Sequence, residues 1–321
     1  MTRQQFSVLG AVAVVIAIIA VVLLTREPGG PTPTPTATTP AATPTQVAEA
    51  TPAPTEDACA AENLATKTAG TLTIGTDNPA FPPYFEGREG GNSQPWDPEW
   101  GDPTTGKGFE SATAYAIAEQ LGFTGDQVVW IQNGFNRSFA PGEKDFDFFI
   151  NQVTFNAERA ENADLSDGYY FGNQTVVVME DSEFAGATTL TELQAAELGA
   201  QVGTTSFATI EDVIQTTQAA AVYNSTADAI TAMRNDQIDG IVVDLPTADF
   251  ITNVQVPRSV IVGQIGEAAG AQPEHFSLVL ELDSPLTDCV NAAIAALDAD
   301  GTLDALVNEW LPFSSVPELQ P

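Results

Sequence analysis

Basic residues are scarce in this chain. Lys and Arg total 10 against 43 Asp and Glu, for a formal net charge of −33. That balance excludes nucleic acid as a partner, because neutralising phosphates needs clustered Lys and Arg. Histidine is nearly absent too, with His275 alone. The two cysteines, Cys59 and Cys289, lie far apart, and no CxxC pair exists. A Cys/His zinc site, a Ser-His-Asp triad and a Cys-His dyad therefore have too few residues to build them, and no metal or other cofactor is expected. With so few cations, each one invites a question, and Arg159 most of all.

What is abundant is acid and apolar surface. The acid is spread along the chain rather than gathered in a tail, so it reads as a solvated surface; a saline habitat would fit it. Of 321 residues, 43% are hydrophobic, enough for one large core or two smaller ones.

Residues 6–24 are apolar and uncharged, long enough to span a bilayer as a helix. Arg3 and the amino terminus precede them, while Arg26 and Glu27 nearly cancel. The positive-inside bias then leaves the N-terminus in the cytoplasm and exports the rest. A cleaved signal peptide is the competing reading, but the run is long for one and lacks a small-x-small cleavage site. The expectation is a single-pass anchor over residues 1–27 with the folded part extracellular, or secreted if the segment is cleaved. Residues 28–56 are rich in Pro, Thr and Ala and form an extended tether that cannot bury a core.

Beyond the tether, strand and helix patterns alternate. Strands are expected at 71–76, 127–131 and 146–150, with a helix at 109–121. Residues 86–107 are a Gly, Pro and Trp-rich excursion. A second run follows. It has strands at 174–179, 199–202, 220–223 and 240–243, with helices at 191–198, 207–218 and 226–235 between them. A strand at 277–280 and helices at 285–299 and 302–311 end the chain. This is α/β grammar in two units with a cleft between them. In such sheets ligands bind beyond the strand carboxyl ends. Asp77, Asn151 to Thr154, Thr204 to Ser206 and Asp244 all fall at such ends.

The densest of these is FDFFINQVTFNAERAENADLSDGYY, residues 146–170. A buried strand runs into Asn151, Gln152 and Thr154, and Arg159 follows on a helix start. Hydroxyls, backbone N–H groups and a guanidinium gathered there would hold a carboxylate. Asp244, on the other unit, offers the counter-charge for an ammonium. Each unit then supplies one pole, so a zwitterion rewards closure.

Residues 72–311 also resemble the extracellular solute-binding proteins of polar amino-acid ABC importers. The stretches that carry the resemblance are LTIGTDNPAFPPYF, GFESATAYAIAEQLGF, NQVTFNAERAENADLSDGYY, VGTTS and IDGIVVDLPTA. The resemblance implies a two-lobe, type II periplasmic-binding fold. Lobe 1 would hold residues 57–172 plus 273–321, lobe 2 residues 173–272, each a mostly parallel sheet flanked by helices and hinged to close. It implies that Arg159 grips the ligand carboxylate with help from Thr154 and Gln152. Thr204 and Thr205 would finish that cage, and Asp244 would pair with the ammonium. Asp77, Phe81 and Phe135 would shape the side-chain end. The implied partners are an amino acid and ABC permease subunits, with a monomer expected. Three departures stand out. Asn156-Ala157 replaces Thr-Pro, Leu165 replaces a phenylalanine, and the 86–107 excursion is longer than usual.

Blander roles exist for single residues. Arg159 could be a surface helix arginine, Asp77 and Asp244 turn or cap residues, and Phe81 and Phe135 core aromatics. Glu110 is most simply an acid favoured at a helix start. A dehydratase or murein lyase on the same fold and a sensor input domain are the alternative functions. The chain shows no spare pair of carboxylates with catalytic spacing and no extended segment ahead of the apolar run to carry a signal. Outside the cell, Cys59 and Cys289 suggest a disulfide joining the two ends of lobe 1. Asp77 would suit a cationic or amide ligand side chain, whereas Asn151 and Gln152 would suit a neutral polar one.

Overall fold

The computed structural model describes residues 56–266, 272–311 and 315–321. Residues 6–24 lie outside these. Among the described residues no helix is long and apolar enough to cross a membrane.

The first sheet takes β1 (Leu72–Thr76), β2 (Val128–Gln132), β3 (Phe148–Phe149), β4 (Asp164–Leu165) and β12 (Val279–Leu280), in the order β2-β1-β3-β12-β4. The second takes β6 (Gln174–Met179), β7 (Leu198–Gln201), β8 (Ala221–Tyr223), β9 (Gly240–Asp244) and β10 (Ser259–Ile265), in the order β10-β6-β9-β7-β8. Between them β5 (Tyr170–Phe171) and β11 (His275–Phe276) form an antiparallel ribbon where the chain crosses out and back.

Each sheet is mostly parallel, as expected, with one strand of five running against the other four. β1 runs parallel to β2 and β3, but β12 is antiparallel to both its neighbours. In the second sheet β7 is parallel to β8 and β9, while β6 is antiparallel to β9 and β10. The antiparallel strands sit where the chain enters or leaves a lobe through the ribbon.

Side-chain alternation builds the cores. Phe148 points into a cluster with Ile74, Phe109, Ile117 and Val290, and Phe149 into another with Phe146, Val153 and Val279. In β6, Val176 and Val178 face one cluster and Val177 the opposite one. Helix α1 (Phe109–Gln120) packs on α8 (Thr287–Ala299) and α9 (Thr302–Trp310). Cys59 and Cys289 form a disulfide that ties the start of the described chain to α8.

Other elements depart from the spacing. The helix expected at 191–198 shortens to α4 (Leu190–Leu193), capped by Thr189 and Glu192 in a reciprocal box. The helix expected at 207–218 is α5 (Thr205–Ala208) followed by a π-helical turn, Thr209–Ile214. Residues 315–321, assigned above to lobe 1, lie instead on the second sheet. Glu318 bridges to Gln264, Gln320 to Thr189, and Leu319 enters the second-lobe core. A single leucine in a polar tail carries little periodic signal.

Candidate functional site

The strand ends converge. Asp77 follows β1, and Phe135 opens α2 (Phe135–Ser138) after β2. Gln152 and Thr154 follow β3, and α3 (Ala157–Ala160) carries Arg159. From the second sheet, Thr204 and Thr205 follow β7, and Asp244 ends β9. A cavity of about 370 Å³ opens between the lobes. All nine residues singled out in the sequence line it, namely Asp77, Phe81, Phe135, Gln152, Thr154, Arg159, Thr204, Thr205 and Asp244.

Arg159 reaches the cleft because Asn156 starts its helix. The Asn156 side chain accepts from the N–H groups of Glu158 (2.7 Å) and Arg159 (3.3 Å). Asn156 is thus an N-cap, which accounts for the departure from Thr-Pro. The guanidinium lies 4.5 Å from the Phe139 ring centre and 5.4 Å from that of Phe135. Nη1 donates to the Thr154 carbonyl (2.5 Å) and Nη2 to the Gly203 carbonyl (2.8 Å) in the other lobe. Burial pushes Arg159 down to about 10, against the pull of Asp244 and Glu274, so it stays a cation at neutral pH. Gly203 adopts φ +77°, and a Cβ there would meet the Asn136 amide at 2.4 Å. Three further contacts close the lobes: Asn136 to the Val202 carbonyl (3.3 Å), Tyr84 with Thr247 (3.0 Å) and Thr205 to Thr154 (3.3 Å).

The anionic pole has two carboxylates. Gln174 donates its side-chain amide to Asp244 (2.9 Å) and to Glu274 (2.7 Å), and its carbonyl accepts from Ser206 (2.6 Å). Glu274, at the return crossing, also accepts from Thr205 (3.1 Å) and Thr154 (3.3 Å), one from each lobe. Burial and then the Glu274 charge push Asp244 up to about 7, partly offset by the Gln174 hydrogen bond and Arg159. A bound ammonium would favour its ionised form.

At the side-chain end, the Asp77 carboxylate accepts from Asn78 N–H (2.8 Å) and Phe135 N–H (3.0 Å), and burial raises it. Phe81 stands against Trp100, ring centres 4.9 Å apart.

Glu110 stands in the first turn of α1, as expected of an acid at a helix start, and it is also buried. Its carboxylate accepts from the Gln152 N–H (2.6 Å), the Gln152 side-chain amide and the Tyr169 hydroxyl (2.5 Å). Burial outweighs these donors and lifts it to about 7. Gln152, at φ +47°, is thereby pinned with its amide committed to Glu110. Thr204 is also committed, donating to the Gln201 carbonyl and capping α5 through Phe207 N–H. Glu110, Gln174, Glu274 and Tyr84 carry no local motif that would have named them. Each is placed by partners 42 to 163 residues away.

Known proteins match this architecture. Over 246 residues the chain is 27% identical to the L-cystine-binding protein of Escherichia coli (strain K12), covering 76% of this chain and 84% of that one. It is 25% identical over 211 residues to the arginine-binding extracellular protein of Bacillus subtilis (strain 168), covering 63% and 77%. An ancestral arginine-binding protein, solved bound to arginine, shares the fold with a TM-score of 0.60 at 23% identity, over 75% of this chain and 98% of that one. Residues 72–313 match the family model of the bacterial extracellular solute-binding proteins, family 3, and the chain belongs to that family.

Proposed function

We propose that the chain is the substrate-binding subunit of an ABC importer and that it captures a polar α-amino acid between its lobes. The observation that carries this is the pairing of Arg159 and Asp244. Arg159, on α3 of the first lobe, and Asp244, at the end of β9 in the second, line one cavity. Arg159 offers a fork to the α-carboxylate, assisted by Thr154 and Thr205. Asp244, with Glu274 behind it, takes the α-ammonium. A ligand with both poles gains most from the closed state, so binding and closure are coupled. Asp77 adds a further carboxylate at the side-chain end, which favours a ligand with a cationic or hydrogen-bond-donating side chain. The cystine- and arginine-binding relatives support an amino acid as the ligand class.

The role is binding rather than catalysis: Arg159, Thr154, Thr205, Asp244 and Glu274 serve the two poles of a zwitterion, while Glu110, Gln152 and Thr204 are committed to holding the walls. Residues 6–24 serve as the membrane anchor in this reading and 28–56 as its tether, keeping a monomeric binding domain beside the permease. Calorimetry of the protein against the twenty amino acids tests the central claim. At least one should bind at micromolar affinity or better, about 8 kcal/mol. No binding by any of them would sink it. Recovery of the intact chain in the membrane fraction, with its N-terminal residues present by mass, tests the anchor.

A further inference from the structure

The loop 86–107 is tied to the side-chain end of the cavity at Asn78, Ala80 and Phe81. Asn78 lines the cavity, and its side chain accepts from Asp97 N–H (3.1 Å) and donates to the Pro95 carbonyl (3.4 Å). The Ala80 carbonyl accepts from Gly101 N–H (2.6 Å). That approach leaves no room for a side chain, since a Cβ on Gly101 would stand 2.3 Å from the Phe85 carbonyl oxygen. Phe81, also on the cavity, rests against Trp100. The loop reaches the second wall as well, because Gln132 donates to the Pro95 carbonyl (2.8 Å) just before Phe135.

The loop itself is knotted. Asp102 is fully buried and accepts from Ser93 N–H and Oγ (2.7 Å each), Thr104 N–H (3.0 Å) and Oγ1 (2.6 Å), and Arg88 Nε (3.2 Å). Burial alone would raise this carboxyl, but the donors outweigh it and hold it at about 2. Trp96 enters the lobe 1 core with 2% of its surface exposed. A loop so fixed cannot drift away from the wall it supports.

We propose that the loop 86–107 is the specificity element of this cavity. It sets the width and placement of the Asp77–Phe81 wall, with Trp100 as a positioning residue acting through Phe81. The loop does not touch the Arg159 and Asp244 poles, so it selects among side chains rather than gripping the common zwitterion. This rests on the amino-acid reading above. A loop that only stabilises lobe 1 would change the affinity of every ligand by the same factor.

The test is the ratio of dissociation constants between the tightest and the next-tightest of the twenty amino acids, measured by calorimetry on the full-length protein. Trp100→Leu should shift that ratio by about 3- to 10-fold, the scale of one lost aromatic pair. Trp100→Phe, which keeps a ring against Phe81, should restore it to within about twofold by the same reasoning. Asp102→Asn loosens the knot without touching Phe81 and should shift the ratio in the same direction as Trp100→Leu, which keeps the test open if the leucine variant fails to fold. A uniform loss across ligands, or an unchanged ratio in both variants, overturns the inference while leaving the amino-acid reading intact. A wild type that binds none of the twenty overturns both.

Discussion

Arg159 in the first lobe donates to the main-chain carbonyl of Gly203 in the second, at 2.8 Å. The residue assigned to the ligand carboxylate is therefore also a strut between the lobes. Two of its donors are committed to main-chain carbonyls, one from each lobe, and the face of the fork left over is what a carboxylate would meet. Binding and closure share one side chain.

Arg159→Ala should raise the dissociation constant by more than about 100-fold, because a buried charge partner and an inter-lobe contact go together. Arg159→Lys keeps the charge but not the fork, and should recover only part of the loss. Isothermal titration with the best wild-type ligand reads both. Wild-type affinity in Arg159→Ala would remove this residue from the site.

Ligand affinity should fall as pH drops through 7. Asp244 sits at about 7 in the ligand-free protein, and an ammonium beside it favours the ionised form. Binding below that pH must expel a proton, at a cost of up to about tenfold per pH unit. Titration at about pH 5.5 and 8 checks the sign, and Asp244→Asn should bind weakly at both with a flattened dependence.

Stability of the ligand-free protein should run the other way. Glu110 and Asp244 stand at about 7 when folded, above their ordinary 4.5 and 3.8. The folded state thus holds more protons than the unfolded one between those values. Stability falls as pH rises through that window, by roughly 1.4 kcal/mol per group for each pH unit crossed, and is level above it. Melting at about pH 5.5 should exceed that at pH 8, and Glu110→Gln should reduce the difference. A melting temperature that climbs with pH would contradict the buried placement of these acids.

Leu319→Ala should destabilise the second lobe by about 2–4 kcal/mol, the usual cost of emptying a buried leucine site. The side chain is 5% exposed and stands beside Gly263, where a Cβ would lie 2.7 Å from its Cγ. Urea unfolding measures it. An effect within about 0.5 kcal/mol, as at an ordinary surface site, would mean the tail does not hold this seat in solution.

Denatured, unreduced protein should show no free thiol, as Cys59 and Cys289 are joined. Replacing both by alanine should cost about 2–4 kcal/mol, chiefly by freeing the unfolded chain. Ligand affinity should hardly change, because neither cysteine lines the cavity.

The site was legible where the chemistry is local. A strand running on into Thr154, a helix start three residues later and Arg159 two residues after that form one contiguous stretch; Gly203 to Thr205 and the strand ending in Asp244 are each local as well. Their convergence follows from strand polarity. Glu110 was not legible, because a surface acid at a helix start and a buried acid under Gln152 have the same local sequence. Gln174 and Glu274 lie at the two crossings between lobes, where no periodic pattern marks them. The strand directions in each sheet likewise depend on where the chain re-enters a lobe, which spacing cannot show.

By itself, the sequence determined the two α/β units, the scarcity of cations that singles out Arg159, and the polar strand ends that line the cavity. Only the tertiary structure decided which acids sit beside one another, which donors are already committed, and which lobe receives the C-terminal residues. The reason is that side-chain period and turn chemistry are set within a few residues. Desolvation and hydrogen-bond partnership are set by whatever the folded chain brings close. Asp244 is an ordinary aspartate in sequence, and burial with the Glu274 charge nearby, against the Gln174 hydrogen bond, makes it a group that titrates near neutrality.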